Sequence, residues 1–178
     1  MIEKPANVRL AVPADEAAVY AILVELHRHN AGGWHFPYAP LIVIETIECA
    51  TRPDPSTRTN PANQRRGVIG VIDGEHGRLD GVVGIFIDQH LWFSKAVIPV
   101  ELFLFVRPGA RNRRRLERDL AQYAEFTHDT LKQNVPPPFP LATGFMFVGS
   151  ERRFAVMARL WRMLFKGAKP VGMLFWRE

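Results

Sequence analysis

Residues 100–126, VELFLFVRPGARNRRRLERDLAQYAEF, give the chain a direction. Glu101 to Val106 is an apolar run of strand type, and Pro108-Gly109 is the turn signal that ends it. Four arginines and one asparagine fill positions Arg111 to Arg115. Beyond them Leu116, Leu120, Tyr123 and Ala124 recur at helical spacing, with charges between. The pattern reads as strand, basic loop, helix start. A helix N-terminus has N–H groups without intrahelical partners, and arginine forks beside them suit an anion, phosphate best of all. A buried strand therefore aims a phosphate binder at its own end, where a substrate would be held.

The rest of the chain is consistent with one soluble domain spanning residues 1–178, with 47% apolar and 23% charged residues. The net charge of +5 and a pI near 9.8 allow an anionic cofactor, nucleic acid or an acidic surface as partner. Cys49 is the single cysteine, which excludes an internal disulfide framework and a cysteine-based zinc cage. A reducing cytoplasm is the expected location. The start, MIEKPANVRL, has no apolar signal core. No apolar run approaches the roughly 20 residues that cross a bilayer, so no membrane partner is expected.

Asn7 to Val12 predicts a short strand, and Asp15 caps a helix running to about His29. The stretch 30–40, NAGGWHFPYAP, is an aromatic loop; Leu41 to Ala50 leans towards helix by its length and glutamates. Thr51 to Arg66 is polar and proline-rich, which predicts a mobile loop. Gly67–Asp73 and Leu79–Gln89 are strands joined by a tight turn at Gly74 to Gly77. Val97–Val106 is the next strand and Glu117–Lys132 a helix. A linker at 135–140, a strand at Ala142–Val148, a helix at Glu151–Phe165 and a strand at Val171–Trp176 complete the order. The fold class is α/β of the α+β kind: a mixed β-sheet flanked by helices.

This order, with the central segment, resembles the GNAT superfamily of acyl-CoA-dependent N-acetyltransferases. In that family a strand ends in a V-x-P turn, and an R/Q-x-x-G-x-G/A loop opens a long helix. Val106-Arg107-Pro108 matches the turn and Arg111 the leading arginine. Asn112, directly after that arginine, and Arg114, at the motif's first glycine, stand where the family often has glycine. The chain is also similar to diverged acetyltransferase-like proteins, some from phage genomes, with an arginine-rich loop at this point.

The resemblance implies a single GNAT-like domain with acetyl-CoA as acyl donor and no metal. Backbone N–H groups of Arg111, Asn112, Arg113, Arg114, Arg115 and Leu116 would cradle the pyrophosphate. The pantetheine arm would pair like an extra strand with backbone groups of Phe105 and Val106. The acceptor would be a small-molecule or peptide amine, and a homodimer is allowed. The family often uses a glutamate of the central strand as general base, and Glu101 is the only carboxylate between Val97 and Val106. Burial of that carboxylate would raise its pKa towards the range useful for accepting an ammonium proton. The bland alternative is a strand-start residue facing solvent or pairing with arginine. Many relatives also use a tyrosine in an R-L-Y-R pattern as acid towards the thiolate; this chain has Arg159-Leu160-Trp161-Arg162. Among its tyrosines, Tyr38 in the aromatic loop is the remaining candidate for that role.

Trp34 and His35 in the loop, with Asp88 and His90 at the end of the third strand, are candidates to line an acceptor pocket. His27 and His29 stand two apart, on different helix faces, which disfavours a metal pair. The function expected is acetyl transfer to an amine by direct attack. Two other classes stay open. One is a non-catalytic GNAT-like module that holds CoA or a partner. The other is nucleic-acid binding through the arginine loop, which lacks a stacking aromatic array and helix-turn-helix spacing.

Overall fold

Three apolar runs punctuated by glycine, proline and polar turns form the centre of the sheet. In the computed structural model, residues 2–30, 39–63, 65–89, 97–134 and 142–143 are described, those at 30, 88–89, 97–101, 131–134 and 142–143 by backbone alone. The strands are β1 (Arg9–Leu10), β2 (Arg66–Asp73), β3 (Leu79–Gln89), β4 (Val97–Val106) and β5 (Ala142–Thr143). The helices are α1 (Glu16–Asn30), α2 (Pro40–Thr51) and α3 (Arg113–Asn134). The sheet runs in chain order from β1 to β5, antiparallel from β1 through β4, with β5 parallel to β4. This is the expected α+β architecture. No helix among the described residues is long and apolar enough to cross a membrane.

Strand alternation splits the core into two layers. Ile69, Val71, Val82, Phe86, Phe103 and Phe105 pack with α1 and α2. Val83, Ile85 and Val106 turn the other way, against Leu120, Ala121, Tyr123 and Ala124 of α3. β2 and β3 meet in a tight hairpin, as expected, with His76 and Gly77 at positive φ in its turn.

The register of β3 on β4 slips between Gly84 and Ile85: Gly84 faces Phe103, yet Ile85 faces Glu101. Leu102 is the extra residue, so Leu102 and Phe103 both pack on the α1–α2 side. A bulge of this kind kinks the strand and increases its twist. Gly84 makes the close approach possible, because a Cβ there would overlap the ring of Phe103. Gly84→Ala is expected to cost about 1–3 kcal/mol by overpacking, read as a lower melting temperature with an unchanged circular dichroism spectrum.

Two sequence expectations change. Thr51 to Arg66, expected to be mobile, is tied to α2 instead. Buried Arg58 donates to the carbonyls of Arg52, Asn63 and Arg65 at 2.9, 2.7 and 3.0 Å. Buried Glu48 accepts from the Thr59 N–H and hydroxyl, both at 2.7 Å. One cation collecting three carbonyls replaces the ladder that proline denies this segment. The helix expected from Glu117 starts at Arg113 instead. Arginine is a good helix former, and the basic run is already the first turn. The expected strand at 144–148, helix at 151–165 and strand at 171–176 lie outside the described residues.

Candidate functional site

The site is built where β4 ends. The Arg107 N–H donates to the Asp80 carbonyl at 2.9 Å, holding the strand's exit against β3. Ala110 N–H then donates to the Arg107 carbonyl at 3.1 Å, closing a turn over Pro108 and Gly109. Two residues later Asn112 adopts φ 59°. Its carbonyl accepts from Arg115 N–H at 2.8 Å and Leu116 N–H at 3.2 Å, which opens α3. The first-turn N–H groups of Arg113 and Arg114 have no intrahelical acceptor.

Asn112 supplies the left-handed turn at the helix start. The left-handed region is the conformation glycine supplies freely, and asparagine is among the residues that tolerate it best. Arg114, at the motif's first glycine position, lies inside the first helical turn. Asn112→Gly should therefore keep both fold and loop. Asn112→Val should lower stability by about 1–2 kcal/mol, from the Cβ clash in this region, and weaken anion binding with it. Melting temperatures and calorimetry on the two variants check this.

An open hollow of about 440 Å³ lies at this helix start, lined by Asn112, Arg114, Arg115 and Arg118. Arg113 pairs with Glu117 at 2.9 Å, and Arg115 reaches Asp119 at 3.9 Å. Arg111, Arg114 and Arg118 have no carboxylate partner among the described residues. The sequence reading stopped at Arg115 and missed Arg118. Its spacing from Arg114 (i, i+4) and Arg115 (i, i+3) is the signal that places it on the same helix face.

Phe105 and Val106 are buried at the end of β4. On the side away from β3, β4 pairs with β5 only at Val100–Ala142 and Glu101–Thr143. From Leu102 onward that edge has no strand partner among the described residues. The last turn of α1 lies over the same strand end, with the His29 ring 6.1 Å from that of Phe105. Glu25, one turn earlier, takes Arg107 at 3.1 Å and Arg78 at 3.6 Å. Sequence reasoning used Arg107 only as part of the turn and missed its burial.

Of the other expected site residues, Glu101 stands on β4 at the bulge, opposite Ile85 and beside Thr143. Asp88 is near the end of β3, opposite Ile98. Both are described by backbone alone, while Trp34, His35, Tyr38, His90 and Trp161 lie outside the described residues. The structure therefore brings together residues 111–116, Phe105 and Val106.

No family model matches the chain, and no curated protein matches it. Solved structures do. An aminoglycoside N-acetyltransferase in complex with CoA superposes with TM-score 0.58 at 11% identity, covering 96% of this chain and 93% of that one. An aminoglycoside antibiotic 6'-N-acetyltransferase from Acinetobacter haemolyticus gives TM-score 0.56 at 10% identity, covering 97% and 98%. An aminoglycoside acetyltransferase complexed with the bisubstrate analogue CoA-S-monomethyl-acetylneamine gives TM-score 0.53 at 13% identity, covering 96% of each chain. Identities this low speak for the fold alone. With the sheet order and the strand–turn–helix exit in place, the chain has the fold of the GNAT acetyltransferases.

Proposed function

We propose that this protein transfers an acetyl group from acetyl-CoA to an amine by direct attack. One observation carries the reading: the start of α3, opened by Asn112 at φ 59° and flanked by Arg111, Arg114 and Arg118, which have no carboxylate partner among the described residues, follows the end of β4 directly. Pyrophosphate would sit on those N–H groups, with Arg114 and Arg118 adding charge-assisted bonds. Similar structures that hold CoA and a CoA-based bisubstrate analogue support the same ligand class.

Strand alternation refines the expected pantetheine contact. Arg107 N–H points to β3, so the N–H of Val106 turns to the open edge and that of Phe105 points back to β3. Val106, and Leu104 two residues before it, would then offer backbone to the pantetheine arm, while Phe105 contributes its ring. The Val106 N–H would also polarise the thioester carbonyl. Glu101 would accept the proton of the attacking ammonium, and Tyr38 is the candidate acid towards the thiolate. The acceptor is read as a small amine or a peptide amine, with Trp34, His35, Asp88 and His90 as candidate contacts.

One observation favours a second reading. Trp161 replaces the tyrosine acid of the R-L-Y-R pattern, which suits a module that holds CoA without turnover. A thiol-release assay with acetyl-CoA against a panel of amines separates the two, with CoA binding measured in parallel by calorimetry. Amine-dependent release supports the enzyme. Binding without release supports the module. No binding at millimolar CoA removes both.

A further inference from the structure

Arg107 carries more hydrogen-bonding capacity than the described residues use. It is 8% exposed, and its Nε and Nη1 are buried without an acceptor among the described residues. Its ion-pair partner is Glu25, through Nη2. Buried donors in native proteins almost always have partners, and an exception points to an absent water or ligand. The charge balance points the same way. Glu25 is shared by Arg78 and Arg107, so the three groups together retain one positive charge. The position matters as well: Arg107 is the first residue past β4, between the strand edge that has no partner among the described residues and the turn leading to Asn112.

We propose that the bound acyl donor supplies an oxygen acceptor to the free N–H groups of Arg107, making it a donor-binding residue that Glu25 holds in place. This rests on the CoA reading given above. The backbone of Arg107 is fixed by its bonds to Asp80 and Ala110. Meeting the ligand therefore needs only a turn of the guanidinium about its contact with Glu25. Two oxygens of the donor share the required chemistry, a phosphate oxygen of the pyrophosphate and an amide carbonyl of the pantetheine arm.

The test is Arg107→Lys, which keeps a cation for Glu25 and loses the forked Nε and Nη1 donors. Calorimetry on the whole protein would use CoA, inorganic pyrophosphate and pantetheine as separate probes. With an unchanged melting temperature, a roughly 10–100-fold rise in the Kd for CoA is expected, the size of one or two lost charge-assisted bonds. A matching loss with pyrophosphate assigns the phosphate oxygen; a loss with pantetheine assigns the carbonyl. If the Lys variant melts early, Arg107→Gln serves with the same outcomes. Wild-type CoA affinity in a folded variant would overturn this proposal alone. Absence of CoA binding by the wild type would overturn the CoA reading and this proposal together.

Discussion

Replacing Arg111, Arg114 and Arg118 together with alanine is expected to raise the Kd for CoA by roughly 10²–10⁴-fold, while the melting temperature holds. A charge-assisted hydrogen bond contributes about 1.5–3 kcal/mol, and two well-placed ones of the three reach that range. These arginines have no carboxylate partner among the described residues, so their removal breaks no ion pair there. The comparison variant is Arg113→Ala, which loses only an exposed i, i+4 pair with Glu117. Such pairs contribute about 0.3–0.5 kcal/mol, and CoA affinity should hardly move. Calorimetry at two salt concentrations sharpens the contrast, since binding by exposed cations weakens as screening increases. Equal affinity in the triple variant and the wild type would remove the helix start as the donor site.

The parts of this fold that were legible in the sequence are those set by local rules. β3 and β4 fall at Leu79–Gln89 and Val97–Val106, where uninterrupted apolar runs meet polar turns. The start of α3 was misplaced by four residues, Glu117 against Arg113, because apolar periodicity says nothing about a helix start of three arginines. Asn112 was readable as a departure from glycine but not as its conformational equivalent, since φ is a property of the folded loop. Arg58 and Arg107 were not legible as buried residues. Arginine is almost never fully buried without partners, and their partners are set only by the folded chain: carbonyls of its own 52–65 loop for Arg58, Glu25 of α1 for Arg107. The bulge at Leu102 was hidden for the same reason, because it exists only in the pairing of β4 with β3.

Glu101→Gln is expected to lower the acetyl-transfer rate by roughly 10²–10⁴-fold, the usual size of a general-base contribution. Glu101 is the only carboxylate of β4, and its backbone stands at the bulge, where the strand kinks and its pairing with β5 begins and ends within two residues. A base placed there sits a few residues before the Val106 N–H proposed to polarise the thioester. Glutamine keeps the shape and hydrogen-bonding reach of the side chain but cannot take a proton near neutral pH. CoA affinity should therefore stay at the wild-type value, since the phosphate contacts lie beyond Val106. The pH profile supplies the second readout. The wild-type rate should fall below the pKa of the base, and in the Gln variant that acidic limb should disappear. A Gln variant with full rate and an unchanged acidic limb would take Glu101 out of the mechanism, leaving His90 or solvent to accept the ammonium proton.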